Sequence, residues 1–158
     1  MKYQRILVPY DGSEHSHAAF ATARNLALAS DDAIIYVINV VPMSVASSIE
    51  LTEPQEQDDP AAARNEVYTQ QFDDGLKHIQ HEMRSETKGL LDGLTEDRVK
   101  IEAIAYRSVV QGIADYAKDR DCDLIVMGRR GLGAVLGMLG SVSYGVLRSV
   151  DIPVMTVK

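Results

Sequence analysis

The chain has 158 residues, of which 46% are hydrophobic and 25% are charged, and its formal net charge is −7 at pH 7. This acidity argues against nucleic acid as a main partner, because phosphate backbones require a basic protein surface. The single cysteine, Cys122, excludes an internal disulfide.

The sequence predicts neither a signal peptide nor a membrane span. The first residues, MKYQRILVPYDGS, lack a long apolar core followed by a small-residue cleavage site. The most apolar run, Gly131 to Leu147, is interrupted by glycines and is too short to cross a bilayer, which takes about 20 mostly apolar residues. We therefore expect a protein without a membrane span, located in the cytoplasm.

The first part of the chain predicts two strands around one helix. Arg5 to Pro9 is a short apolar run, which indicates a buried strand. Ser13 is a suitable N-cap for the helix that follows, roughly Glu14 to Ala29, where alanine and leucine recur at helical spacing. Ala33 to Val41 is nearly continuous in valine and isoleucine. Such runs are typical of parallel strands that are covered on both faces.

An acidic segment over residues 43–60 separates these elements from the rest. It carries five acidic residues and little periodicity, which predicts an exposed, mobile loop. A long helical pattern then runs from about Ala61 to Leu91. Its predicted core face consists of Val67, Phe72, Leu76, Ile79, Met83 and Leu90.

The second half again alternates strands with helices. The predicted strands are Val99 to Tyr106, Asp123 to Met127 and Pro153 to Val157. The predicted helices are Val109 to Lys118, capped by Ser108, and Ser141 to Ser149. This alternation favours a parallel sheet, whose neighbouring strands need right-handed helical crossovers. We predict a three-layer, doubly wound α/β fold in a single domain, residues 1–158.

The glycine-rich stretch after the fourth strand indicates a phosphate-binding site. In open parallel sheets, ligands bind beyond the carboxyl ends of the strands, where the strand order reverses. Gly140-Ser141 begins a helix whose free N–H groups can hold a phosphate, and Arg129 and Arg130 could supply positive charge. The dinucleotide motif G-x-G-x-x-G would need glycine where Leu136 stands, and the P-loop lysine has no counterpart here.

Several motifs resemble those of the universal stress proteins. They are ILVPYDGS, INVV, CDLIVMGRRG, GSVSYGVL and the ending DIPVMTVK. The resemblance covers most of the chain outside Met43 to about Leu94. The family's nucleotide-binding branch carries G-x2-G-x9-G-[ST], whereas eight residues separate Gly131 from Gly140 here. Arg107-Ser108-Val109 also differs from the Gly-x-Pro turn that the family often has.

The resemblance implies a five-stranded parallel sheet in the order 3-2-1-4-5, a homodimer, and ATP bound at the switch point with Mg²⁺ bridging its phosphates. Because that strand order puts Pro153 to Val157 at a sheet edge, we expect the last strand to form the dimer. The residues that the resemblance assigns near adenine and ribose are Pro9, Tyr10, Asp11 and the backbone of Val40. Those on the ribose and phosphate side are Met127, Gly128, Arg130 and Gly131. Those around the phosphates are Gly140, Ser141, Val142 and Ser143.

Simpler roles for these residues remain open at this point. Glycines 133, 137 and 140 would also suit close helix packing or a ligand-free loop, and Arg129 and Arg130 would also suit a solvated surface. Asp11 could cap the first helix or stabilise its turn, and Ser141 and Ser143 could act as caps. His78 and His81 have metal-ligand spacing without a further ligand set, and Cys122 is interpreted as a structural thiol.

The leading hypothesis is an ATP-binding stress-response or signalling module with little or no turnover. No nucleophile–base pair or pair of catalytic carboxylates stands out, and Asp11 is the one acid assigned near the ligand. A slow ATPase and a nucleotide-free dimeric interaction protein are the alternatives.

Overall fold

One parallel sheet of five strands organises the fold. The structure, a computed structural model, describes residues 3–43, 60–132 and 139–158, without the side chains of 60–69 and 71. The strand order is β3-β2-β1-β4-β5, which confirms the predicted doubly wound topology and its order. The strands are β1 (Arg5–Pro9), β2 (Ile34–Pro42), β3 (Val99–Tyr106), β4 (Leu124–Gly128) and β5 (Val154–Val157).

Helices in the described residues cover both faces of this sheet. They are α1 (Glu14–Leu28), α2 (Pro60–Thr87), α3 (Val109–Asp119) and α4 (Ser141–Ser149). Both predicted caps are confirmed, because the Ser13 side chain accepts from the Ser16 N–H and the Ser108 side chain accepts from the Gln111 N–H. Each cap satisfies an N–H group that has no partner within its helix.

Each face of the sheet has its own apolar layer. On one face, Phe20 of α1 and Met83 of α2 pack in a cluster with Val8 of β1. On the other, Ile113 of α3 packs in a cluster with Leu7, the neighbour of Val8. Successive strand residues point to opposite faces, so a strand covered on both sides must be apolar throughout. All five residues of β4 are buried accordingly.

The long helix α2 differs from its prediction at both the core face and the C-terminal end. Met83 is buried, and the partly buried Ile79 and Leu90 pack against the same cluster. Phe72 and Leu76 are only partly buried, and the side chain of Val67 is outside the described residues. The helix ends at Thr87 and tightens into a 3₁₀ turn over Lys88–Leu90. Gly89 lies in this turn, and glycine is a poor helix former. The chain then turns again at Gly93, whose φ is +85°.

Two predicted features fall outside the described residues. The acidic loop predicted over 43–60 lies there from residue 44 to residue 59, and so does the stretch 133–138 within the glycine-rich segment. In the ranges that the structure does describe, no helix combines the length and apolarity that a membrane span requires.

Candidate functional site

A cavity of about 570 Å³ opens at the carboxyl ends of β1 and β4, where the strand order reverses. This volume lies within the range of small-molecule sites. All twelve residues that the sequence assigned to a ligand line it. They are Pro9, Tyr10, Asp11, Val40, Met127, Gly128, Arg130, Gly131, Gly140, Ser141, Val142 and Ser143. The twelve therefore form one site, whatever occupies it.

Seven further lining residues were missed by the sequence reasoning. They are Ser16, Ile38, Asn39, Val109, Ile113, Leu132 and Leu139. Ser16 and the α3 residues Val109 and Ile113 come from the starts of helices that begin beside the cavity. The sequence already located the start of α3, because Ser108 was the predicted cap. Since crossover helices of a parallel sheet begin near the edge where ligands bind, Val109 could have been predicted as a lining residue.

The N-terminal end of α4 presents unpaired backbone donors to the cavity. Gly140 is the N-cap residue and provides no side-chain cap. The first bond of the helix runs from the Tyr144 N–H to the Gly140 carbonyl, at 2.9 Å. The N–H groups of Ser141, Val142 and Ser143 consequently have no partner within the helix. Together with the helix dipole, such groups favour an anion at this position.

Two hydrogen bonds join the ends of the glycine-rich segment. The Gly140 N–H donates to the Arg129 carbonyl at 2.9 Å, and the Ser143 hydroxyl donates to the Gly128 carbonyl at 2.9 Å. The segment is one residue shorter than the family pattern, yet Gly131 and Ser141 line the same cavity. Because the Ser143 hydroxyl hydrogen is donated to β4, the donor that Ser143 can direct at a ligand is its backbone N–H.

Asp11 both shapes the loop after β1 and faces the glycine-rich segment. Its Oδ1 accepts from the Ser13 N–H at 3.1 Å and from the Ser13 hydroxyl at 2.6 Å. This turn-stabilising role was the simpler interpretation of Asp11, and it is confirmed. A side chain at Gly131 would collide with the other carboxylate oxygen, Oδ2. Glycine at 131 therefore lets the chain approach the Asp11 carboxylate closely.

Tyr10 connects the wall of the cavity to two helices. Its N–H donates to the Ile38 carbonyl at 2.8 Å, and its carbonyl accepts from Asn39 Nδ2 at 3.0 Å. Its hydroxyl lies 2.8 Å from Glu86 Oε2 and 2.9 Å from His17 Nε2. Burial raises the pKa of the Tyr10 hydroxyl, and the hydrogen bond to Glu86 raises it further. Tyr10 thus stays protonated and acts as a donor.

Several glycines serve close packing. A Cβ at Gly128 would stand 2.8 Å from His15 Cβ, so this glycine lets α1 approach the end of β4. A Cβ at Gly145 would stand 2.7 Å from Val110 Cγ2, at the contact between α4 and α3. Close packing was the simpler interpretation of Gly133, Gly137 and Gly140. The first two lie outside the described residues, and a Cβ at Gly140 would stand 3.3 Å from the Arg129 carbonyl oxygen.

The other residues with potential chemistry lie away from the cavity. Cys122 is buried, which raises the pKa of its thiol to about 12 and keeps it protonated near neutral pH. His78 is exposed and pairs with Glu82 at 3.5 Å. Within the described residues, no three histidine, cysteine or carboxylate side chains are grouped as a metal site would require.

Comparison with known proteins finds similarity over nearly the whole chain. The sequence profile of the universal stress protein family matches residues 2–158. A universal stress protein of Methanocaldococcus jannaschii is 31% identical over 158 residues, which cover 99% of this chain and 82% of that protein. The solved structure of universal stress protein UspA from Lactobacillus plantarum has a TM-score of 0.70 at 25% identity and covers 100% of this chain and 99% of that one.

A second solved structure, a universal stress protein in complex with cAMP, has a TM-score of 0.62 at 23% identity. The match covers 99% of this chain and 98% of that one.

Proposed function

The chain belongs to the universal stress protein family, and from that premise we propose that its cavity binds an adenine nucleotide, ATP in the first place, and that the protein acts as a stress-response or signalling module with little or no turnover. The observation that carries this proposal is the uncapped N-terminal end of α4, which faces a cavity also lined by Arg130. Unpaired N–H groups and a guanidinium favour a phosphate-bearing ligand.

In this proposal the two sides of the cavity hold different parts of the nucleotide. Adenine and ribose lie against Pro9, Tyr10, Asp11 and the backbone of Val40. The phosphates lie beside Gly140 and on the N–H groups of Ser141, Val142 and Ser143, with Met127, Gly128, Arg130 and Gly131 on the remaining side. The apolar lining residues Ile38, Val109 and Ile113 suit a purine ring. A relative of known structure binds cAMP, which supports the adenine nucleotide as the ligand class.

The scarcity of carboxylates among the lining residues supports the proposal of little or no ATP hydrolysis. Asp11 is the one carboxylate among the lining residues, and one of its oxygens is engaged by Ser13. Phosphoryl transfer needs a group that orients water or an acceptor, in addition to a phosphate cradle. Since no three metal-ligating side chains are grouped in the described residues, a Mg²⁺ ion would be held chiefly by the nucleotide phosphates and would serve to neutralise them.

Calorimetry with Mg-ATP tests the binding. We expect saturable heat, and at a concentration of about 100 times Kd the nucleotide should raise the unfolding free energy by about 2.7 kcal/mol. Gly131→Ala should weaken binding because the new Cβ displaces the Asp11 carboxylate. Gly89→Ala is the matched control, because nothing lies within 4 Å of its Cβ position. The absence of heat and of any melting shift with ATP or cAMP would reject the proposal, and sustained phosphate release would favour the ATPase instead.

Two further parts of the proposal concern the whole chain. We propose a homodimer formed through β5, which is an edge strand with Met155 and Thr156 exposed. We also propose a cytoplasmic location, which the buried, unpaired thiol of Cys122 supports.

A further inference from the structure

We propose that Glu86 is a positioning residue that acts through Tyr10 and couples occupancy of the cavity to the C-terminal end of α2. The inference rests on the proposed nucleotide site and extends it by a route from the ligand to a helix outside the cavity. It is carried by the contacts that Tyr10 makes at its two ends.

The backbone of Tyr10 is fixed to β2 at the cavity wall. Its N–H donates to the Ile38 carbonyl at 2.8 Å, and Asn39 Nδ2 donates to its carbonyl at 3.0 Å. Ile38 and Asn39 themselves line the cavity. A ligand that packs against this wall therefore restrains Tyr10 together with both of its backbone partners.

The side chain of Tyr10 leads away from the wall into the layer formed by α1 and α2. The residue is only 3% exposed and packs in the same cluster as Phe20 and Met83. Its hydroxyl has a single hydrogen, which it donates to Glu86 Oε2 at 2.8 Å. His17 Nε2, at 2.9 Å, must then be the donor in the second bond. One hydroxyl thus joins β1, α1 and α2.

Glu86 also lies over the loop that carries Asp11. Its Oε2 is 3.7 Å from the point where a Cβ on Gly12 would stand, and Gly12 has a φ of +77°. Its neighbours along α2 are fixed to the body of the sheet: Met83 and Thr87 are buried, and Arg84 reaches the Ile101 carbonyl of β3 at 3.5 Å. The Glu86 carboxylate therefore connects a packed helix end to Tyr10 and to the loop that carries Asp11, two residues that line the cavity.

Linkage makes this connection reciprocal. If Glu86 holds Tyr10 and the loop in the arrangement that binds nucleotide, the bound nucleotide must stabilise the Glu86 contact by an equal free energy. We expect Mg-ATP to slow amide hydrogen exchange over Met83 to Thr87. A bond that serves only folding stability would instead leave exchange in this helix end independent of the nucleotide, apart from the global shift.

The experiment compares Glu86→Ala with Glu82→Ala, a control one turn earlier on α2 whose carboxylate contacts His78. Mg-ATP affinity is measured by calorimetry, and hydrogen exchange is measured with and without the nucleotide. For Glu86→Ala we expect Kd to rise about three- to tenfold, the loss expected for a partly exposed charged hydrogen bond. The nucleotide-dependent slowing at Met83 to Thr87 should also disappear. Glu86→Gln should restore much of both effects, because its amide oxygen still accepts from Tyr10, and Glu82→Ala should match the unaltered chain.

Each outcome decides between the two proposals. Equal Kd values and equal nucleotide-dependent slowing in Glu86→Ala and Glu82→Ala would overturn the coupling and leave nucleotide binding intact. A lower melting temperature of Glu86→Ala without any change in that slowing would do the same. If the unaltered chain shows no binding of Mg-ATP, the proposed function is rejected and the coupling with it.

Discussion

Arg98 fixes the C-terminal end of α1 through three carbonyl oxygens. Its Nε donates to the Ala33 carbonyl at 2.9 Å, and its Nη2 donates to the carbonyls of Ala27 and Ser30 at 2.8 and 2.6 Å. The last carbonyls of a helix have no partner within it and carry partial negative charge. Ala27 lies in the last turn of α1, whereas Ser30 and Ala33 lie in the link to β2. The guanidinium therefore ties the helix end to that link and opposes the negative end of the helix dipole.

We expect Arg98→Ala to lower the free energy of unfolding by about 2 kcal/mol, because it leaves partly buried carbonyls without their charged donor. Arg98→Lys should recover only part of the loss, since one ammonium group cannot reproduce the forked geometry. Arg107→Ala, at an exposed arginine, is the control. Urea denaturation measures all three, and equal midpoints for Arg98→Ala and Arg107→Ala would contradict the role of Arg98.

At this scale, the sequence could predict residues whose role depends on a local motif. Asp11, Gly131 and Ser141 belong to motifs of contiguous residues, and all three line the cavity. Arg98 and Glu86 could not be predicted in the same way, because their partners are 65 to 76 residues away. The assignment of the cavity residues to a nucleotide stays a prediction until binding is measured.

The contacts of α3 show how glycines set the distance between elements. A Cβ at Gly112 would stand 2.8 Å from Val40 Cγ1 and 3.0 Å from Tyr106 Cβ, so α3 packs directly onto β2 and β3. On the other side of the same helix start, Val110 packs against Gly145 of α4. Val40, which lines the cavity, therefore packs directly against Gly112.

Two alanine substitutions in helices should have opposite effects on stability. Gly112→Ala should destabilise the fold by about 1–3 kcal/mol, because the extra methyl group overpacks a closed contact. Gly75→Ala, in α2 with nothing within 4 Å of its Cβ position, should stabilise it by about 0.5–1 kcal/mol through helix propensity alone. Thermal unfolding of both variants checks this, and a shift of the same sign in both would contradict the packing role of Gly112.

At the element scale, hydrophobic patterns predicted the strands well because parallel strands covered on both faces are apolar throughout. The predicted bounds of β3 and α4 coincide with the observed ones. The pattern was less informative for α2, because Phe72 and Leu76 are only partly buried and the helix gives way to a 3₁₀ turn. A helix end of that kind depends on packing and on the turn at Gly93 more than on periodicity.

The proposed dimer belongs to the scale of the whole molecule, and the backbone of β5 indicates how it would form. The Ile125 N–H donates to the Pro153 carbonyl, and the Arg129 N–H donates to the Val157 carbonyl. Strand residues alternate in the direction of their hydrogen bonds, so odd-numbered residues of β5 bond to β4. The N–H groups of Val154 and Thr156 consequently face outward from the sheet edge, where a second copy could pair with them.

We expect the unaltered chain to sediment at twice its mass of 17.4 kDa and Thr156→Pro to sediment as a monomer. Proline removes an outward N–H group without removing a bond to β4. Thr156→Ala keeps that N–H group and should remain dimeric. A monomeric unaltered chain, or a dimer that persists in Thr156→Pro with β5 still paired, would contradict the edge interface.

The central position of β1 also determines when this protein can fold during its synthesis. β1 pairs with β2 soon after it in the chain, but its other edge pairs with β4, and the N–H of Arg5 bonds to Asp123, 118 residues later. Once β1, α1 and β2 have emerged from the ribosome, the apolar strand β1 therefore keeps one edge unpaired until β4 has been synthesised. Unpaired strand edges of this kind invite aggregation. The nascent chain should consequently need shelter, such as that of a chaperone, until its last third has emerged.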